Sequence, residues 1–538
     1  MGWLSLPSMR RRGLVVALVL AGGCDGKGKE EAVKQPTAQQ AADALKQLGA
    51  GGQGGVAAAQ EVALEQQPFR ELWEAHYIQD SKIGHAHTTY LRVKLNGEPL
   101  VKIERRGKFS VQRLGQKIES TMREVSWETE AGEVRRMQFM ALMGETPQTT
   151  LCLIEGQRAT LNLIAGDKTT SKVLEWKPGT RGPFGVQDEL MRNPMKPGET
   201  RELKAILPMV NNLARVTLTA RGKETTTVGS EPRELLKIDV VATIEEGGMK
   251  IQQIAWIDEQ GNPVKSEMPD LQQSTILTTA AVALAEGDNG RPAADLGRLT
   301  LVNVANPPSD LLNKTAVRYR ATVRAGEAGV SFESTESQTV KSLPGGAAEI
   351  NVVALRPDTP LPPGYVVEPA TPAELASNSL VEADEPLVAA MARRAVGAET
   401  EPWRKAVALE RFVRESMRST EFSAAMGSAA ETAKSLTGDC TEFAVLLCAL
   451  LRANGIPARG AVGLVYFESE QAFAYHMWTE AFIGGRWIGL DGTRGAGGLS
   501  AAYLRIADLN FSGADPVAGL MRIFGVVGRL QVEVLEAK

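Results

Sequence analysis

The stretch Gly438-Asp439-Cys440-Thr441-Glu442-Phe443-Ala444-Val445-Leu446-Leu447, continuing to Asn454-Gly455-Ile456-Pro457, restricts the possible folds more than any other. Gly438 breaks the preceding chain, and Asp439 is a good N-cap. An apolar run without Gly or Pro follows, Asn454-Gly455 supplies a left-handed stop, and Pro457 prevents continuation. A helix that is apolar nearly all round has to be covered on every side, so it belongs in a core. Cys440 falls in its first turn. The positive end of the helix dipole there favours thiolate over thiol, which makes Cys440 a candidate nucleophile if a base is near.

A candidate base follows downstream. Residues 475–483, Tyr-His-Met-Trp-Thr-Glu-Ala-Phe-Ile, alternate in the manner of a strand. Gly484-Gly485 suits a two-residue hairpin turn, and 486–491 reads as the return strand. His476 and Asp491 then both lie near the open end of the hairpin, where Asp491 can orient the imidazole and His476 can address Cys440. Nucleophile, base and orienter meet the logic of a catalytic triad. Cys448, on the same helix with no cap or acidic neighbour, reads as core.

Four stretches carry a resemblance: Gly438-Asp439-Cys440, Gly455-Ile456-Pro457-Ala458-Arg459, His476-Met477-Trp478-Thr479-Glu480 and Trp487-Ile488-Gly489-Leu490-Asp491-Gly492-Thr493. In this order and spacing they resemble the transglutaminase-like superfamily over roughly residues 380 to 500. The resemblance implies a papain-like core, with a cysteine-bearing helix packed on an antiparallel sheet that carries the His and the Asp. It implies Cys440 as nucleophile, His476 as base and Asp491 as orienter. Members of the superfamily include cross-linking enzymes, peptidases, amidases and inactive scaffolds, so the reaction stays open among these.

The rest of the chain sets the context. Lys and Arg number 60 against 64 Asp and Glu, a net charge of -4, which gives no field that would draw nucleic acid. The one arginine cluster, Arg10-Arg11-Arg12, precedes an apolar run at 14–20 too short to span a bilayer and then Ala21-Gly22-Gly23-Cys24. Basic region, apolar core and small residues read as a secretory signal over 1–23. The Cys after the small residues resembles a bacterial lipobox, which implies lipidation of Cys24 and attachment to a membrane of the cell envelope. Residues 24–65, rich in Gly, Ala, Gln and Lys, read as a flexible tether, with a short helix possible near 41–48. A coil of about 40 residues reaches roughly 35 Å.

The fold class expected is α+β: an antiparallel β-rich region followed by the transglutaminase-like domain. The β-rich domain is placed at 66–290, with strands at 72–78, 83–93, 149–154, 158–163, 216–220, 235–244, 251–257 and 264–267. A helix near 184–192 interrupts it. His85 and His87, two apart on a strand with His76 nearby, lack the carboxylate or thiolate partners of a metal site and read as strand histidines. A small β module with a Pro-rich linker is placed at 296–365, and the transglutaminase-like domain at 380–538. Helices are read at 383–395 and 402–417, the latter with Val407, Phe412 and Val413 on roughly one face, and a terminal strand at 525–536.

With Cys24 lipidated, Cys152, Cys440 and Cys448 are left. Cys440 and Cys448 are about 12 Å apart on one helix, beyond the roughly 7 Å a disulfide spans. A reactive thiol outside the cytoplasm should be partly shielded from oxidants. The expected chemistry is attack of Cys440 on a glutamine carboxamide or a peptide carbonyl of a protein or peptide substrate. No cofactor or metal is required. A cysteine peptidase of envelope peptides, or a non-catalytic envelope binding or assembly scaffold, are the alternatives.

Overall fold

The computed structural model describes residues 60–78, 81–113, 116–143, 147–165, 168–246, 248, 250–268, 272–285, 295–323, 332–418, 427–509, 511 and 528–538. The readings at 1–23, at Cys24 and at 41–48 lie outside the described residues.

Fifteen strands between Glu61 and Thr278 form one antiparallel sheet among the described residues. Two meanders build it, Arg70–Ile78 through Lys168–Glu175 and Thr200–Leu207 through Gln273–Thr278. They join where Gln273–Thr278 pairs with Arg70–Ile78, Leu277 standing opposite Glu74. Twist curls so long a sheet back on itself. Val134, Met137, Cys152 and Leu161 from one meander share a core cluster with Ile206 and Leu213 from the other. The Gly185–Arg192 helix packs within this curve through Leu190, and Tyr90 donates its hydroxyl to Asp188 at 2.9 Å.

Several of these strands are absent from the sequence reading, including Glu98–Arg113, Gln116–Glu128 and Val134–Met143. Glu98–Arg113 does alternate, burying Ile103, Phe109 and Val111. Its inward row is broken by Arg105, which ion-pairs with Glu74 on a nearby strand. A charge neutralised across strands looks like a solvent-facing residue until the pairing is known.

The candidate histidines are structural neighbours within this sheet. His87 bonds Glu71 at 2.8 Å and stacks on Trp73 with ring centroids 3.9 Å apart. His76 is buried, bonds Thr275 at 2.9 Å, and burial holds its pKa down to about 4.

A second sheet of nine strands runs Gln338–Ser342, Ala348–Val353, Ala316–Val323, Leu530–Ala537, Val302–Ala305, Ala472–Ile483, Ala458–Phe467, Tyr503–Leu509, with Arg486–Leu490 paired to Ala472–Ile483. The strands read as a separate small module therefore continue into the sheet of the cysteine domain. Leu530–Ala537 makes the join, antiparallel to Ala316–Val323 and parallel to Val302–Ala305. Such pairing spans some 200 residues, and local pattern does not encode it.

Four helices cover this sheet: Pro386–Val396, Pro402–Ser416, Ala429–Ser435 and Cys440–Ala453. The first two open on Pro, and Glu385 and Glu401 cap them by accepting from first-turn backbone N–H groups. Cys440–Ala453 is buried at every residue except Ala453, as an all-round apolar helix requires. Its one buried cation, Arg452, spends its guanidinium on the carbonyls of Ala458 and Ala376. Ile78, Ile83, Phe109 and Val111 of the first sheet belong to the same core cluster as these helices, so the two sheets share a packed core.

Candidate active site

Asp439 caps the cysteine helix: its carboxylate accepts from the N–H of Thr441 at 2.8 Å, and Glu442 reaches back to the N–H of Asp439 at 2.8 Å. Cys440 is thereby fixed at the first helical position, fully buried. Glu442 also accepts from Gly427 N–H at 2.9 Å. Burial and the neighbouring Asp439 push its pKa well above the usual carboxylate range.

The hairpin forms as its sequence dictates. Gly484 and Gly485 both take positive φ, 62° and 75°, which a two-residue turn matching the strand twist demands. Ile483 then pairs with Arg486 and Thr479 with Leu490. Asp491 follows directly after the return strand. His476 lies three residues before Thr479, beyond the stretch paired with the return strand, and donates through Nε2 to Asp491 Oδ2 at 2.8 Å. Both side chains are buried. The second ring nitrogen, His476 Nδ1, is buried without a hydrogen-bond partner in the structure.

Two contacts hold this hairpin against the cysteine helix. Thr479 donates its hydroxyl to the Ala444 carbonyl at 3.0 Å. A side chain at Gly492 would come within 3.5 Å of the Phe443 carbonyl, so the backbone after Asp491 lies directly on the first turn of that helix.

Asp491 has more partners than the sequence suggested. Its Oδ2 also accepts the Tyr503 hydroxyl at 2.7 Å, and its Oδ1 accepts the Thr493 N–H at 2.9 Å and hydroxyl at 2.7 Å. Burial alone would raise its pKa. The His476 ring and these donors overcome burial and hold the carboxyl far below its usual range, so it stays anionic. Tyr503 comes from the edge strand Tyr503–Leu509 and also stands near the His476 ring, with centroids 6.2 Å apart. Trp478 packs edge-on to Tyr503 at 5.5 Å. Nothing in the local sequence marks Tyr503.

Glu410 is the other residue that sequence reasoning missed. The buried stripe of Pro402–Ser416 is Ala406, Leu409, Glu410 and Val413, rather than the face through Val407 and Phe412. An acidic residue inside an i, i+3, i+4, i+7 apolar stripe was a readable signal.

The remaining cysteines differ in kind. Cys152 is in mid-strand, with burial pushing its thiol up to about 12, and burial likewise raises Cys448. Among the described residues no group of three or more His, Cys, Asp or Glu is arranged to hold a metal ion. No helix among them is long and apolar enough to cross a membrane.

With this geometry in place, residues 389–492 match the Transglutaminase-like superfamily. That segment is a transglutaminase-like domain. No curated protein matches the chain. Among solved structures, a candidate cysteine protease from Cytophaga hutchinsonii is 19% identical, over 41% of this chain and 86% of its own, with a TM-score of 0.28. The periplasmic domain of TgpA from Pseudomonas aeruginosa is 12% identical over 35% of this chain and 93% of its own, TM-score 0.22. A β-barrel-like protein of a domain of unknown function from Brucella abortus is 11% identical over 39% and 95%, TM-score 0.30. These likenesses are too loose to transfer anything to this chain. The transglutaminase-like domain itself, with the β-rich region before it, is the architecture expected from sequence.

Proposed function

We propose that this protein is a cell-envelope cysteine acyltransferase or amidohydrolase, with Cys440 as nucleophile, His476 as base and Asp491 as orienter. The observation that carries the reading is the buried 2.8 Å bond between His476 Nε2 and Asp491 Oδ2, with Nδ1 of the same ring left over, on a hairpin packed against the cysteine helix. An imidazole held on one side by a carboxylate is oriented to exchange a proton on the other.

In the proposed cycle Cys440 thiolate adds to a glutamine carboxamide or a peptide carbonyl. The carbon–nitrogen bond breaks as His476 passes its proton to the departing ammonia or amine. The thioester is then cleaved by water, with His476 taking the water proton, or by an amine, which gives an amide cross-link. The backbone N–H of Cys440 at the helix start is the proposed donor to the oxyanion. The basic, apolar and small-residue pattern that ends at Cys24 supports an extracytoplasmic, lipid-anchored placement.

Alkylation of the soluble chain with iodoacetamide at pH 6 tests the nucleophile. Cys440 should react at least tenfold faster than Cys152 and Cys448, and three equally slow thiols would refute the reading. Ammonia release from a glutamine peptide, lost in C440A, separates carboxamide chemistry from cleavage of the peptide chain.

A further inference from the structure

The segment Asp491–Gly498, which begins with the orienting carboxylate, lies flat on the Pro402–Ser416 helix. A side chain at Gly492 would meet Val413 at 3.0 Å, and one at Gly495 would meet the Cβ of Arg414 at 3.0 Å. Where the helix covers this backbone, as at Asp491, Gly492 and Gly498, its N–H groups need partners inside the protein. Within the segment, the Asp491 carbonyl accepts from Arg494 and Gly495, and the Asp491 side chain accepts from Thr493. Among the other N–H groups of the segment are those of Asp491, Gly497 and Gly498.

One side chain takes all three. Glu410 accepts from Asp491 N–H at 2.8 Å and Gly497 N–H at 2.7 Å, and shares the Gly498 N–H between its oxygens at 3.4 and 3.3 Å. It is fully buried. Its bond to the Asp491 N–H ties the helix directly to the backbone that carries the orienting carboxylate.

Resting on the acyl-transfer reading above, we infer that Glu410 is a positioning residue of this site, acting through Asp491 to hold the His476 ring toward Cys440. The position depends on the carboxylate form. Both oxygens of an anion accept, whereas a protonated carboxyl turns one of them into a donor and confronts an N–H with it. Burial pushes the Glu410 pKa up to about 7, and the nearby Asp491 charge adds to this against the backbone bonds that lower it. The charged or titratable groups near it are Asp491, His476 through Asp491, and Arg356, which Glu410 holds electrostatically. The support of Asp491 should therefore weaken as pH falls through neutrality.

The test is the rate of Cys440 alkylation by iodoacetamide from pH 5.5 to 8 in the wild-type chain and in E410Q, with thermal melting of both. The glutamine side chain is isosteric but offers one acceptor where Glu410 uses two. The expected wild-type to E410Q rate ratio is at least tenfold at pH 8 and shrinks toward one at pH 5.5. A merely structural contact would give a ratio independent of pH, and that result, or equal rates throughout, overturns the inference. Should E410Q fail to fold, E410D is read the same way and should show a wild-type-like pH dependence at reduced rate. A flat profile in that variant also overturns the inference. A wild-type Cys440 no faster than Cys152 and Cys448 would instead defeat the acyl-transfer reading itself, whereas a fast Cys440 unaffected by E410Q defeats only the role of Glu410.

Discussion

Asp491 receives four hydrogen bonds in a buried setting: from His476, from Tyr503, and two from Thr493. Each donor that saturates an anionic oxygen makes the ring opposite it better ordered, because the carboxylate has no other direction in which to turn. Tyr503 and His476 share Oδ2, so the phenol and the imidazole are fixed relative to each other. Replacing Tyr503 by Phe removes one donor and leaves the ring packing against Trp478 in place. A hydrogen bond to a charged group is worth about 1.5–3 kcal/mol, part of which Thr493 and His476 would recover. Alkylation of Cys440 at pH 6 should slow by about fivefold, with a melting temperature within a few degrees of wild type. No change in rate would show that Tyr503 is dispensable to the orientation of His476.

The histidine strand Ala472–Ile483 has different neighbours on its two faces. Tyr475 and Met477 belong to the large core shared with the helices, while Trp478 packs in a separate cluster with Ala461, Val465 and Tyr503. Glu480, on the same side as His476 and Trp478, ion-pairs with Arg459 at 2.9 Å and with Arg505 at 2.9 Å, from Ala458–Phe467 and Tyr503–Leu509 respectively. All three side chains are buried, and Arg459 also lies 4.1 Å from the Trp487 ring centroid. Three adjacent strands, one of which carries His476, are thus held in a fixed stagger by charge. Removing the central anion leaves two buried cations, and breaking a buried pair costs about 3–5 kcal/mol. Glu480→Ala should lower the urea midpoint of the domain accordingly. Destabilisation under about 1 kcal/mol would mean that the ion pairs the arginines already make elsewhere, Arg505 with Asp508 at 3.1 Å and Arg459 with Glu368 at 3.5 Å, are enough to hold them.

On the scale of the whole molecule, buried carboxyls make stability depend on pH in an uncommon direction. Burial pushes Glu124, Glu128 and Glu410 up to about 7. A carboxyl whose folded pKa is raised binds its proton more tightly in the folded state. Its contribution is fully present below the unfolded value of about 4.3 and is lost as pH rises through 7. His76 works the other way: held down to about 4 by burial, it contributes above about 6.5 and loses that contribution as pH falls. These raised carboxyls, with Asp188, Glu336 and Glu442 also raised by burial, outnumber the depressed imidazoles of His76 and His85 between pH 7 and 5. The melting temperature should therefore rise by about 2–4 °C between pH 8 and 5.5. It should fall again below pH 4, where Asp491 takes up a proton in the unfolded chain while its partners in the fold keep it anionic. A melting temperature that is flat or falling from pH 8 to 5.5 would contradict this ordering. The shared core between the two sheets predicts that both regions respond together, as one transition followed by circular dichroism.

What the sequence determined by itself is local. The cap at Asp439, the stop at Gly455, the Gly484-Gly485 turn and the all-round apolar helix follow from residues close in the chain, and so do the candidate positions of Cys440, His476 and Asp491. The tertiary structure decided what depends on distant partners. The sheet joined Leu530–Ala537 to strands 200 residues earlier, and Arg105 could face inward because Glu74 meets it there. Tyr503 reached Asp491 from an edge strand whose pattern does not mark it, and Glu410, legible as an acidic residue in an apolar stripe, found its partner only in the fold. Periodicity reports which face of an element is buried, but a hydrogen bond or ion pair between elements exists only once the backbone has brought both ends within 3 Å.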